Sequence, residues 1–563
     1  MSKIYKSIIY ILFFSLPLIH SRFFSMFGID LDIIVSGNFE FTKVSFFHII
    51  SACIILFFTI DRIIHKKDIK LPRVLYLILF IIWISTLFSL SPITSLFWGN
   101  SKWHGAFLFI NLIWLFIVLS NQSKIFLHRC IKTIIYSTFF VSIMGIWQLF
   151  FPSFDYWTLG NRALSTLGHP NYLSLYLLMI VPFLYKEIQA KKYLLYMPIL
   201  IACIVCFLLT KSIWWIFLFL LFNIYYFHKN WKQTTLILGL WIGAIIGSMF
   251  FWYIGPEKFH SFLSRFALWE TTLSIVASNW KTLLFWSGFE TLFMTFDTAK
   301  SPYLYIYENF WFTADRPHNL FLNILYHTGL LWLSTFGYLI YKWMKKIKKT
   351  PAKESFILFL WFTIFNYPSI VHYSILALII AIATHTKSTA YTIASKVCGF
   401  ISFIAICLVS ITGWYFSYQF YQAEILSEKW DIEDSIQVFS YHPNYFYQLW
   451  EYETWVKIET YRSSAYYESK INSLDDIEWD CEQFTTHFPV AENFFACWAW
   501  LEKFDKDEEA LNYYQKWLEQ LPDLWNKDSE YYDDFFIKNT INGNRFFSEK
   551  YSPIKKVLEK VWE

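Results

Sequence analysis

Three polar stretches interrupt an otherwise apolar chain. The first runs Asn161-Arg162-Ala163-Leu164-Ser165-Thr166-Leu167-Gly168-His169-Pro170-Asn171. The second is Ser264-Arg265-Phe266-Ala267-Leu268-Trp269-Glu270. The third is Asp315-Arg316-Pro317-His318-Asn319, followed by Leu322 and then His327-Thr328-Gly329-Leu330-Leu331. Their chemistry is that of cations and one imidazole. A guanidinium fork binds phosphate oxygens bidentately, and an imidazole titrates near neutrality, which suits transfer of a hydroxyl proton. No cluster of Asp and Glu with metal-ligand spacing occurs in these stretches, so no metal and no cofactor is expected.

The elements that must position these residues are membrane spans. Of 563 residues 56% are hydrophobic and only 16% are charged, with mean hydropathy +0.37; a soluble protein keeps about a quarter charged. Apolar runs predict all-α architecture with 12–13 transmembrane helices. The expected limits are 7–20, 44–60, 74–90, 105–120, 133–150, 171–185, 193–210, 212–227, 234–254, 319–341, 355–366, 370–385 and 398–417. The first run resembles a signal peptide but has no small-residue cleavage site, so it reads as an uncleaved helix. The eleventh and twelfth flank Asn366-Tyr367-Pro368, where proline breaks a single helix; one re-entrant pair is the alternative there.

Lys and Arg crowd alternate loops, among them Arg62/Lys66/Lys67/Lys70/Arg73, Lys124/Arg129/Lys132 and the dense group from Lys342 to Lys353. These read as topology determinants facing the cytoplasm, not nucleic-acid contacts. The N-terminus is then cytoplasmic, and the three polar stretches and the tail lie outside. Essentially no Asp, Glu, Lys or Arg falls within the spans, only histidines such as His48, His327, His372 and His385. An ion-coupled transporter needs buried charges at the midplane, so binding or chemistry at the outer lipid–water boundary is favoured over passage.

Within the outer loop 255–318, residues Phe259, Phe262, Leu263, Phe266, Trp269, Leu273 and Val276 share a helical face. This predicts a helix lying in the membrane surface with Arg265 at its edge. Residues 1–418 form the expected membrane domain and 419–563 a soluble extracytoplasmic one, in which acids outnumber bases about two to one. Its Ala, aromatic and Pro offsets between 491 and 522 fit a tetratricopeptide unit, with a poorer copy at 423–443. Such repeats offer a surface for a protein partner. Cys481 and Cys497 share this domain and can pair if it is outside the cell.

The ordered set R-x-x-x-T-x-G-x-P-N, R-x-x-x-W and H-N-x-x-L followed by T-G-L-L resembles the O-antigen ligase family, over residues 86–385. That superfamily also holds O-antigen polymerases and protein O-oligosaccharyltransferases. The resemblance implies a glycosyltransferase of the bacterial cytoplasmic (inner) membrane. It would take a glycan from undecaprenyl diphosphate at the outer face and pass it to an acceptor hydroxyl on lipid, glycan or protein, with inversion and without metal. Carried over by motif, Arg162 and Arg265 hold the diphosphate and His318 is the general base or orients the hydroxyl. Asn171, Arg316, Asn319 and Lys102 are accessory candidates. The chain departs from the family in three places, and at the first Trp332 stands where the family often has a small residue. Lys102 and His104 occupy a stretch where the family often has arginine. Ser287-Gly288-Phe289 echoes a Gly-Phe-Gly loop, with Glu290 where the second glycine would fall.

Plainer roles stand beside these. An interfacial arginine often snorkels to lipid phosphate, Arg265 can anchor its own helix, and Arg316 can pair with Asp315. His169 and Asn171 can simply fix the entry into the sixth span. Ligase, polymerase and protein glycosylation share the same motifs, and a transporter or flippase is a distant alternative.

Overall fold

The computed structural model describes residues 2–20, most of 39–150, 162–227 except 191–192, most of 256–346, 350–384, 390–393 and a few isolated positions beyond. Helices dominate. In chain order they are α1 (Ser2–Ser15), α2 (Phe39–Ile64), α3 (Val74–Leu87), α4 (Pro92–Phe97), α5 (Ala106–Ser120) and α6 (Lys124–Phe150). Then follow α7 (Pro170–Gln189), α8 (Tyr193–Leu209), α9 (Ile213–Phe227), α10 (Pro256–Ala277), α11 (Trp280–Leu284) and α12 (Leu292–Thr295). The last three are α13 (Leu320–Lys346), α14 (Pro351–Thr363) and α15 (Ile370–Thr384).

The all-α expectation needs one amendment, because β1 (Ile69–Pro72) pairs antiparallel with β2 (Ala390–Ile393), Ile69 opposite Ile393. The expected spans 234–254 and 398–417 lie wholly or mostly outside the described residues, and so does nearly all of 419–563, where helical repeats are expected. There, Cys481 and Cys497 form a disulfide with Cα atoms 5.6 Å apart, within the usual bridging distance.

Among the described residues two helices, Thr42–Ile64 and Lys124–Phe150, are long and apolar enough to cross a membrane. Shorter apolar helices are Val74–Leu87, Ala106–Ser120, Tyr193–Leu209 and Ile370–Thr384. Leu108, Val118, Leu127, Ile134, Tyr176, Leu178, Cys206, Phe362 and Leu378 are buried in one continuous core between them. The outward faces are apolar too. Tyr76, Leu77, Phe80, Trp83 and Leu87 are exposed along α3, and Tyr136, Phe140, Ile143, Trp147 and Phe150 along α6. On α8 Leu194, Met197, Ile201 and Val205 are exposed, Leu194 at 97%. Helical spacing makes each set a single stripe.

The body has two distinct ends. At one, the basic connections meet: Arg62 Nη2 donates to the Asn121 carbonyl at 3.2 Å, Lys132 lies 3.9 Å from Glu187, and β1 pairs with β2. At the other, the polar stretches enter their helices.

One expectation about an element changes. The tenth span is not one straight helix, for Gly329 within α13 has φ 79 and ψ 174. A Cβ there would collide with the Phe285 carbonyl, so only glycine lets this bend pack against the end of α11. The α10 helix turns a face of small residues to the core. Its buried residues are Ser264, Ala267, Leu268, Thr271, Thr272, Ile275 and Val276, while Phe266 and Leu273 are 45% and 46% exposed. Ala267, Leu268, Ile275 and Val276 pack with Leu292, Phe296, Leu304, Leu325 and Tyr326. The threonine hydroxyls donate to carbonyls one turn back, at 3.0 Å for Thr271 and 2.8 Å for Thr272. Small residues whose polar atoms are satisfied within the helix line this buried face, and Phe266 and Leu273 of the expected membrane-surface face stay outside the core.

Candidate functional site

The third polar stretch is anchored by Arg316, which is 2% exposed. Its Nη2 and Nε both donate to Glu290 Oε2, at 2.7 and 3.2 Å. Nη1 lies 3.1 Å from His104 Nδ1, and the guanidinium stacks 4.3 Å from the centre of the Tyr367 ring. On its other side, His104 Nε2 lies 2.9 Å from Glu40 Oε1, which also accepts from the Ile370 N–H at 2.6 Å. Arginine has only donors, so Nδ1 must accept and the proton sits on Nε2. His104 is therefore a neutral imidazole bridging a cation and an anion, although its distance to Glu40 would also suit an ion pair. Burial, followed by the Arg316 charge, lowers the His104 pKa and agrees with that tautomer. Burial alone would raise the Glu40 carboxyl. The His104 hydrogen bond and charge, the Ile370 N–H and the Lys43 charge outweigh it and hold the group below its usual value.

Glu290 has φ 56, the left-handed region. The position where the resembled loop has its second glycine thus keeps a glycine-like backbone, with a carboxylate fixed by Arg316. Its N–H donates to His327 Nε2 at 3.1 Å. Beside it Gly288, with φ 108, donates to the His327 carbonyl at 3.4 Å, and Ser287 donates to the Tyr326 carbonyl at 3.1 Å. The 287–290 loop is therefore laced onto α13 just before the Gly329 bend.

His318 also has a left-handed backbone, φ 50, and is partly exposed. Such a conformation costs a residue with a side chain roughly 1–3 kcal/mol and persists only where its surroundings enforce it. Here the neighbours do. Pro317 fixes one torsion, and its carbonyl accepts from Trp269 Nε1 at 3.0 Å. Asn319 caps α13, its Oδ1 accepting from Phe321 N at 2.9 Å and Leu322 N at 3.1 Å.

The second stretch comes to the same place through α10. The Phe262 and Trp269 rings lie 6.0 and 5.7 Å from that of Phe365. Arg265 falls between them on the same helical face and is partly exposed.

The first stretch meets the far side of that turn. Arg162 Nε donates to the Thr210 carbonyl at 2.9 Å and Nη2 to Ser212 Oγ at 3.0 Å. Asn171 Oδ1 accepts from Ser212 Oγ at 3.1 Å and Trp215 Nε1 at 3.3 Å, and its Nδ2 donates to Asn366 Oδ1 at 3.1 Å. His169 caps α7, its Nδ1 accepting from Asn171 N at 3.1 Å. Ser165, with φ 53, is held by Gln148, whose Oε1 accepts from Ser165 N at 2.8 Å. Lys211 lies between the two residues that Arg162 grips and has φ 51. Burial lowers the pKa of both Arg162 and Lys211, and the Arg162 charge adds to the effect on Lys211. Two cations therefore share one partly desolvated turn, suited to an anion.

Comparison with known protein families, with curated proteins and with solved structures returns no match.

The structure thus brings Arg162, Asn171, Arg265, Arg316, His318 and Asn319 to one end of the helical body, around residues 365–367. Lys102 and Asp315 lie outside the described residues, and the described contacts of Arg316 go to Glu290 and His104. Sequence reasoning missed Glu40, Glu290, Tyr367, Asn366 and Lys211 as members of this cluster. His104 and Glu290 were visible only as departures from a motif. Among the described residues no group of three His, Cys, Asp or Glu side chains could hold a metal ion.

Proposed function

We propose that this chain is a multi-pass membrane glycosyltransferase of O-antigen-ligase type. It moves a glycan from undecaprenyl diphosphate to an acceptor hydroxyl at the outer face of the bacterial cytoplasmic membrane. The observation that carries the reading is the convergence of the three polar stretches on the 365–367 turn, at the end of the body opposite the basic connections.

In this reading Arg162 and Arg265 grip the diphosphate, and Lys211 adds charge beside Arg162. The acceptor oxygen bonds to the anomeric carbon from the face opposite the leaving group, with inversion. The carbon–oxygen bond to the diphosphate breaks, and its electron pair leaves with the phosphate, where guanidinium donors stabilise the charge as it develops. The hydroxyl proton passes to His318. The apolar stripes on α3, α6 and α8 support a lipid-facing exterior, since soluble monomers rarely expose contiguous apolar faces of that extent. The segment 419–563 is proposed as the extracytoplasmic tetratricopeptide-like domain that engages an acceptor or a protein partner.

The test is conversion of an undecaprenyl-diphosphate glycan, extracted from the producing cell's membranes, by the purified protein in lipid discs. Undecaprenyl diphosphate is released only when acceptor is supplied, the product has the inverted anomeric configuration, and a chelator leaves the rate unchanged. Absence of release, or a rate abolished by the chelator, contradicts the reading.

A further inference from the structure

Arg316 is the most buried cation of the cluster, and its geometry differs from that of a phosphate ligand. Nε and Nη2 are committed to one carboxylate oxygen and Nη1 to an imidazole, while the planar face is covered by the Tyr367 ring. A diphosphate could take the fork only by displacing Glu290. What these contacts do is tie together five separate segments: the start of α2 through Glu40, the entry to α5 through His104, the loop at Glu290, the approach to α13 through Arg316, and the start of α15 through Ile370. Two residues beyond Arg316 lies His318 in its left-handed conformation, with Pro317 held by Trp269 and Asn319 capping α13. Positions 316, 317 and 319 are each fixed, so the backbone that carries the imidazole at 318 is held by its neighbours.

We propose that Glu40, His104, Arg316 and Glu290 form a buried clamp that positions His318 for proton transfer, with Arg316 a positioning residue and not a ligand of the diphosphate. This rests on the role given to His318 above. The clamp acts on the chemical step and leaves donor binding to Arg162 and Arg265. A displacement of about 1 Å at a catalytic group can cost roughly 100-fold in rate, so loosening the clamp should appear in kcat.

The experiment is steady-state release of undecaprenyl diphosphate from the extracted undecaprenyl-diphosphate glycan by the full chain in lipid discs. Arg316→Lys keeps the charge beside Glu290 but loses the fork. It should lower kcat roughly 10- to 100-fold while leaving KM for the donor within about twofold. His104→Gln, which breaks a different joint and leaves Arg316 in place, should give the same signature with a smaller loss. A raised KM with unchanged kcat in Arg316→Lys would make Arg316 a diphosphate ligand and overturn the inference, as would wild-type kcat in both variants. His318→Ala is measured alongside. Undiminished turnover in that variant removes the assignment of His318 itself, whatever the clamp variants do.

Discussion

Arg162 and Arg316 lie at the same end of the body, yet their surroundings prepare them for different work. Arg162 spends Nε and Nη2 on the 210–212 turn, which leaves the rest of its fork to meet an anion, while Arg316 is enclosed on three sides. Lysine at 162 would keep the charge and lose the planar fork, so Arg162→Lys should slow transfer roughly 100-fold. A wild-type rate would mean that Arg162 only anchors its loop at the interface. His104 carries a second prediction. Its pKa is lowered in the folded state, so the unfolded chain takes up the proton first as pH falls through about 6.5. The stability His104 contributes is complete above that value and declines as pH falls below it. The unfolding midpoint of wild type should therefore drop further than that of His104→Gln between about pH 7.5 and about pH 5.5; equal drops would contradict the neutral bridge. At this scale the stretches that hold Arg162, Arg265 and His318 stood out in the sequence because their motifs are local. Glu40 and Glu290 were not, since their partners lie at positions 104 and 316 and no spacing rule reaches that far.

Among the elements, the bend in α13 and the loop that seats against it form one unit. Gly329, with φ 79 and ψ 174, occupies a region open essentially to glycine alone, and Gly288 sits against Ser89 and Ser95. Gly329→Ala should cost roughly 1–3 kcal/mol, read as a lower unfolding midpoint in detergent, and it should loosen the 287–290 loop. An unchanged midpoint would show that the bend is not required. The apolar runs matched the limits of α5, α8 and α15 within a residue or two, whereas α1 lies five residues earlier than expected and α6 begins at Lys124, well before the expected 133, because a helix continues past the apolar part of its sequence. The runs did not give the bend, since a glycine inside an apolar run reads the same whether the helix continues or breaks. On α10, Ser264, Ala267 and Thr271 allow the close approach to the core, and Phe266 on the expected membrane-surface face is left outside.

At the scale of the whole molecule, the proposal needs the basic connections and the motif cluster on opposite sides of a bilayer. Single cysteines placed on a background lacking the free thiols test this. Ser261→Cys, at an exposed site on α10, should react with an impermeant reagent from outside, and Lys345→Cys should react only after the membrane is opened. The reverse pattern would overturn the orientation. The pairing of β1 with β2 brings two of the basic loops together. The tetratricopeptide-like reading of 419–563 lies outside the described residues. The central claim is that His318 takes the acceptor proton as the diphosphate leaves. It is tested most directly by the rate of glycan transfer from undecaprenyl diphosphate by purified wild type and His318→Ala, matched for amount and unfolding midpoint. The account predicts a loss of roughly 100- to 10,000-fold, and a rate within about twofold of wild type, well short of that loss, would contradict it.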